Sequence, residues 1–278
     1  MVDAPLIPVT VGILTHNSTG TLAPTILSVR RCAEILVCDG NSTDGTRELA
    51  TALGCTLIDQ GDENTDAMGR LTNMTGVRER MVSAARHDWV FILDHDELAT
   101  DELLDEIGEV VRRPRTHGAY DVPRKYVVQG RVINDAANYP SYQRRLVHRT
   151  AIDGYAGIIH DHPVMKEGES AGRLDAAQLV PQPPLRELWP KWIGYMRLEE
   201  VGKLGLSRSE WVDQVLRPEL RMLKWLLYRT VIIRVRSSGP FLPLRIELSR
   251  LAYEVGVIVY TGRRFLGSRR ARLDRVWS

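Results

Sequence analysis

Residues 89–97 read WVFILDHDE, five apolar residues followed at once by three acids and a histidine. A short apolar run of this kind fits a strand buried on both faces of a sheet. Asp94 and Asp96 close it, and residues two apart on a strand project from the same face. Two carboxylates therefore converge at the sheet's edge and repel one another unless a cation lies between them. Hard oxygen ligands suit Mg²⁺ or Mn²⁺, and such an ion can bridge a diphosphate. The plainer alternative is a solvated acidic turn opening the next helix, since acids favour first turns. The place of the pair after a fourth buried strand favours the ligand.

The three earlier strands lie upstream. Val9–Leu14 is β-branched and ends in Thr15-His16-Asn17, Glu34–Asp39 reads EILVCD, and Cys55–Asp59 is shorter. Helical patterns separate them at Leu22–Arg31, Thr46–Leu53 and Thr72–Arg86, and Thr100 or Asp101 caps a further helix to Arg112. Strand–helix alternation at this spacing predicts right-handed βαβ units, an α/β fold with a mostly parallel sheet. Ligands of such sheets bind beyond the carboxyl ends of the strands. The polar clusters at 15–17, 39–44 and 94–97 all fall there. Asp39 precedes the turn and is a ligand candidate for a base N–H or a ribose hydroxyl. Ser42, Thr43 and Asp44 suit turn and capping roles. G-x-G-x-x-G and the P-loop pattern are both missing, which removes the main signatures of dinucleotide and P-loop sites.

From Ala119 the pattern turns to short extended pieces, Ala119–Val128, Arg131–Ile133 and Arg144–His148. Residues 157–190 are rich in Gly and Pro and read as loops. Helices dominate from Leu185, and Ser237-Ser238-Gly239-Pro240 divides the tail into two of them. This suggests a catalytic part at 1–184, with halves at 1–112 and 113–184, and a helical extension at 185–278.

Four of these elements in order, ILTHN, LVCDGNSTDGT, the helix carrying Arg78, and DWVFILDHDEL, resemble the nucleotide-binding half of family 2 glycosyltransferases with the GT-A fold. The likeness extends to the branch resembling lipopolysaccharide-core β-1,4-glucosyltransferases, through Arg145-Leu146-Val147 and Ile159-His160-Asp161. It covers roughly residues 7–165. The resemblance implies an inverting, metal-dependent transfer from a nucleotide-sugar, UDP-sugars foremost, to a hydroxyl of a saccharide or lipid-linked acceptor. Thr15, Asn17, Asp39, Arg78, Asp94 and His95 would bind the nucleotide-sugar. Asp94, Asp96 and His160 would hold Mn²⁺ or Mg²⁺. Glu97, Arg145 and His162 would meet acceptor or phosphate, and Asp161 would be the general base that an inverting transfer needs. Two positions depart from the family pattern. Gly40 replaces the second Asp of V-D-D-G-S, and Asp161 stands where V-H-E has Glu.

The 278 residues are 44% hydrophobic and 26% charged, ordinary for a chain with a real core. Three cysteines cannot make a disulfide framework, and a reducing cytoplasm fits best. MVDAPLIPVT has neither the charged n-region nor the apolar run of a signal peptide. The net charge of +2 hides an asymmetry: residues 217–278 hold 14 Lys/Arg against 4 Asp/Glu, while residues 1–216 hold 23 against 31. The tail interleaves apolar and basic residues, which suits a helix lying in an anionic membrane interface, each cation adding on the order of 1 kcal/mol. The expected location is thus cytoplasmic, peripheral on the inner face of the cell membrane. The alternative is a core-packing hairpin with a solvated Arg face. No recognition motif supports nucleic acid. Two rival functions remain on the sequence alone, a sugar-phosphate nucleotidyltransferase and a non-catalytic membrane-bound nucleotide-sugar-binding protein. The first would normally carry a basic residue in a Gly-rich loop after strand one, and THNSTGT has none.

Overall fold

A computed structural model describes residues 5–65, 71–157 and 161–265. The chain divides into two compact units, Met1–Val127 with Pro140–Pro181, and Val128–Tyr139 with Gln182–Ser278.

The first unit begins with β1 (Ile7–Thr15), α1 (Thr19–Ser28), β2 (Cys32–Asp39), α2 (Thr46–Ala52), β3 (Thr56–Asp59), α3 (Met74–Ala84), β4 (Trp89–Asp94) and α4 (Asp101–Arg112). The alternation read from the sequence is therefore present. β1 lies between β2 and β4, parallel to both, and β3 pairs parallel to β2. Val9, Val11 and Ile13 pack with Leu22, Phe91, Leu103 and Ile107 in one apolar layer. Met81, Val77, Val90 and Ile92 fill the opposite layer. Gly12 is a requirement of that second layer, because a Cβ there would stand 2.7 Å from Met81 Cε.

Helix boundaries follow their caps. Thr100 accepts from Leu103 N at 3.2 Å and starts α4 where expected. α1 begins three residues earlier than its apolar pattern predicts, because Asp44 accepts from Thr19 N at 3.2 Å and from Thr19 Oγ1 at 2.9 Å. The same carboxylate accepts from Thr46 N at the start of α2, so one acid serves two helix N-termini. Chiefly the Thr46 hydroxyl draws the Asp44 carboxyl down to about 2.

β5 (Ala119–Val128) and β7 (Ser141–His148) extend the sheet antiparallel to one another, with β7 beside β4; β6 (Arg131–Val132) lies in the intervening segment. The region read as loops contains strands as well. β9 (His162–Met165) pairs with β8 (Ile152–Ala156), which lies just before that region, and β10 (Ala171–Arg173) and β11 (Gln178–Pro181) both run parallel to β5. Their Gly and Pro content misled the reading because such short edge strands need only a few ladder bonds.

The second unit contains α5 (Leu185–Gly202), α6 (Arg208–Trp211), α7 (Arg217–Arg236) and α8 (Leu244–Gly262). One π-helical stretch, Val212–Leu216, joins α6 to α7. The Ser237–Pro240 break separates α7 from α8 as expected. Residues 128–139, read from the sequence as part of the catalytic half, group with these helices. Ala137 N donates to Glu247 Oε1 of α8 at 2.9 Å, and Arg229 of α7 donates to the carbonyls of Ala137 and Tyr139. Against Gly256 of α8 lies Met196 of α5, whose Sδ would be 2.2 Å from any Cβ placed there. No helix of the described residues is long and apolar enough to cross a membrane.

Candidate active site

Sheet register brings the polar clusters level. Thr15 pairs with Asp39 and Leu14 with Asp94, so β1, β2 and β4 end side by side. Two polar assemblies grow from these ends.

The first surrounds Asp39, which is fully buried. Its carboxylate accepts from Thr15 Oγ1 at 3.1 Å, from the Ser42 hydroxyl, from Ser42 N at 2.9 Å and from Arg47 Nη1 at 3.1 Å. Burial works against the charge, but the Ser42 bonds, then Arg47 and Thr15, outweigh it and hold the Asp39 carboxyl below its ordinary range. Above it, Asn17 takes up a left-handed backbone with φ 49°. Asn17 N donates to Ser42 Oγ at 2.8 Å and Asn17 Oδ1 accepts from Thr43 N at 2.9 Å. The two strand-end loops are thereby stitched together. Where the family pattern has a second Asp, Gly40 faces the Gln60 amide, whose Nε2 would be 2.7 Å from a Cβ. Gln60 thus fills the space that a second carboxylate would need.

The second assembly is a chain of ion pairs. Arg78 of α3 donates through Nε to Asp161 Oδ2 at 2.8 Å and through Nη2 to Asp94 Oδ1 at 3.1 Å. Arg145 of β7 donates through Nη2 to Asp94 Oδ2 at 2.7 Å and to Glu97 Oε2 at 3.0 Å. Arg124 of β5 completes the chain on Glu97 Oε1 at 2.6 Å, with Gln178 Nε2 on Glu97 Oε2 at 2.8 Å. Burial disfavours charge on Asp94, yet Arg145 and then Arg78 hold its carboxyl far below the usual carboxylate range. Burial likewise opposes the Arg145 charge, and Asp94 and Glu97 overcome it and raise its pKa. Three guanidinium nitrogens of this cluster, Arg78 Nη1, Arg124 Nε and Arg145 Nε, are buried without a hydrogen-bond partner among the described residues, as is the Tyr155 hydroxyl. Burial pushes that hydroxyl up to about 12.

Several candidates from the sequence are thus brought together: Arg78, Asp94, Glu97, Arg145 and Asp161 form one network. Glu97 is a buried hub inside it, with no face left for an acceptor. Asp96 is half-buried and forms no hydrogen bond or ion pair among the described residues. His95 turns to α1, its Nδ1 2.8 Å from Thr21 Oγ1, and its carbonyl accepts from Thr25. His162 is exposed on β9, and His160 lies outside the described residues. Arg144, next to Arg145, points the other way to Asp121 at 3.0 Å, as alternation along a strand requires. Arg47, Arg124, Gln178 and Tyr155 escaped the sequence reading. β5 carries three charged residues, Asp121, Arg124 and Lys125, and nothing local marks Arg124 among them.

Among the described residues no group of three or more His, Cys, Asp or Glu converges in a metal-holding arrangement. Both Asp94 oxygens are taken by guanidinium groups, which leaves Asp96 as the free carboxylate of the pair.

A mostly parallel sheet flanked by helices, with an acidic pair closing its fourth strand, is the GT-A glycosyltransferase architecture. Residues 10–162 match the model of Glycosyl transferase family 2. That is more than half of the chain, and the protein belongs to this family. Among solved structures it is similar to Staphylococcus aureus TarS 1-349 in complex with UDP-GlcNAc, at 14% identity and TM-score 0.44 over 72% of this chain and 68% of that one. It is similar also to glucosyl-3-phosphoglycerate synthase from Mycobacterium tuberculosis in complex with Mn²⁺, UDP and glucosyl-3-phosphoglycerate, at 17% identity and TM-score 0.42 over 65% and 74% of the two chains. Mannosyl-3-phosphoglycerate synthase from Rubrobacter xylanophilus gives 20% identity and TM-score 0.43 over 66% and 70%.

Proposed function

We propose that the protein is an inverting glycosyltransferase that moves a sugar from a nucleotide-sugar, a UDP-sugar foremost, to a hydroxyl of a saccharide or lipid-linked saccharide. Its setting would be cell-envelope glycan synthesis at the cytoplasmic face of the membrane, in the manner of lipopolysaccharide-core glucosyltransferases. The observation that carries this reading is the chain Asp161–Arg78–Asp94–Arg145–Glu97, which links a candidate base to buried cations.

In the proposed reaction the acceptor oxygen attacks the anomeric carbon and the bond to the diphosphate oxygen breaks. Asp161 takes the hydroxyl proton, and the diphosphate leaves with the bonding electrons. Arg78 holds Asp161 by Oδ2 alone, so Oδ1, without a hydrogen bond among the described residues, is free to accept a proton. Arg78 and Arg145, fixed in place by Asp94, would contribute preorganised positive charge toward the negative charge developing on the leaving group. Thr15, Asn17 and Asp39 would form the wall of the nucleoside pocket. One free carboxylate suits an ion held jointly by protein and phosphates, so Asp96 would anchor Mg²⁺ or Mn²⁺. The ion, when bound, supplies Lewis-acid stabilisation of the diphosphate.

UDP release from a set of UDP-sugars, with and without saccharide acceptors and with EDTA, tests this. Acceptor-stimulated, EDTA-sensitive release supports it. Absence of release from every donor, with or without acceptor, refutes it.

A further inference from the structure

The second unit presents a helix whose outward side is apolar. α7 packs inward through Leu226, Thr230 and Ile233, which share one side at helical spacing. On the solvent side stand Leu220, Leu227, Tyr228, Val231 and Val235, each between 52 and 77% exposed. Their spacing of seven, one, three and four residues keeps them in one stripe. The fifteen helical rises from Leu220 to Val235 make that stripe about 22 Å long. Single exposed apolar side chains are ordinary, but a contiguous patch marks a contact surface.

The cations of α7 divide into two sets. Arg229 is bound to the Ala137 and Tyr139 carbonyls, Arg234 to those of Thr230 and Leu242, and Arg217 to Asp213. Arg221, Lys224 and Arg236 are exposed and form no ion pair or hydrogen bond among the described residues, and Arg236 falls outside the stripe. On the helical wheel Lys224 falls within the apolar stripe and Arg221 at its edge. Long basic side chains can lift their charge out of an apolar surface while their stems stay in it.

We infer that this face of α7 seats the protein on an anionic lipid bilayer, its apolar side chains entering the interface while Arg221 and Lys224 meet phosphate headgroups. Charge selects this occupant. Residues 217–278 carry 14 basic against 4 acidic side chains, which suits an anionic surface. A second copy of the chain packed across a two-fold interface would bury Arg221 and Lys224 against the apolar end of the partner stripe, with no counter-charge supplied by that stripe. The seat is independent of the chemistry performed by the first unit.

The test uses the full chain with vesicles of phosphatidylcholine alone or with phosphatidylglycerol added, the bound fraction being read by sedimentation. Binding to the anionic vesicles is expected, weaker on the neutral ones. It should weaken again between about 0.1 M and about 1 M salt, as the screening length falls from about 10 Å to about 3 Å. Arg221→Gln with Lys224→Gln should lower partitioning about 30-fold. Val231→Glu with Val235→Glu should abolish it while circular dichroism stays native, and the Gln pair decides the matter should the Glu pair unfold. Failure to bind anionic vesicles, or binding that both pairs of substitutions leave unchanged, overturns the inference. So does a wild-type dimer that Val231→Glu dissociates in the absence of any lipid effect, which would give the face to a second copy.

Discussion

Arg145 sits 2.7 Å from Asp94 and turns the first acid of the Asp94-His95-Asp96 motif into the middle of an ion-pair chain. With Arg78 on its other oxygen, Asp94 has its charge compensated from within the protein. Asp96, two residues on, has no such partner among the described residues. The two acids should therefore respond differently to the same substitution. Asp96→Asn should leave the melting temperature nearly unchanged, within about 0.5 kcal/mol of stability, while abolishing UDP release. Asp94→Asn should lower both. Thermal melts beside a turnover assay separate the two, and equal behaviour would contradict the division of roles.

Glu97 is the hub of the same chain, with side-chain exposure of 1% and three side-chain partners. Removing one member of a buried pair strands the others. Glu97→Ala leaves Arg124 and Arg145 without their shared acceptor and should cost about 3–5 kcal/mol. Glu97→Gln keeps the shape and part of the hydrogen bonding, so its cost should be smaller. Denaturant unfolding of the two variants checks the order. A loss below about 1 kcal/mol for Glu97→Ala would mean that the network relaxes around the gap.

Legibility from sequence tracked the range of each interaction. Strands β1, β2 and β4 announce themselves because their apolar runs end abruptly in polar residues. The start of α1 was misplaced because its cap, Asp44, comes from 25 residues away. Asp94 was singled out by its place at the end of a buried strand, and Arg78, Arg145 and Asp161 one at a time through family resemblance. Their assembly into one chain depends on contacts 16 to 83 residues apart, which no local pattern encodes. Glu97 illustrates the limit best. Read as an acceptor contact, it is a buried hub whose partners Arg124 and Gln178 come from β5 and β11.

Acid should weaken the fold through Asp39. Its pKa is lowered in the folded state by Ser42, Arg47 and Thr15 against the opposing effect of burial. A carboxylate depressed on folding binds fewer protons folded than unfolded, so it stabilises the protein above its unfolded pKa of about 3.9. That contribution disappears as the pH falls through the folded value. Melting temperatures should hold steady from neutral pH to about pH 5 and then fall. Asp39→Asn should be less stable at neutral pH and show a shallower fall. A parallel displacement of the whole curve would exclude Asp39 as a source of the acid limb.

The last expectation concerns proton transfer. Asp161 is mostly buried, with 15% side-chain exposure, and Arg78 binds one of its oxygens at 2.8 Å. Asp161→Asn preserves the shape of the side chain and removes its capacity to accept a proton. Arg78 would then face an amide, so its remaining anionic partner is Asp94. Donor affinity, measured by calorimetry with UDP, should survive, because the nucleoside wall at Thr15, Asn17 and Asp39 is built from other strands. Turnover should fall by about 10²–10⁴-fold, the usual contribution of a positioned general base. The loss should appear in kcat more than in KM for the donor, since proton removal is needed in the transition state rather than in binding. Glu97→Gln is the control, being buried within the same network yet closed to an acceptor. If Glu97→Gln gives the larger turnover loss at unchanged stability, the base is not Asp161. If both variants keep wild-type turnover, proton removal falls to a group outside this cluster.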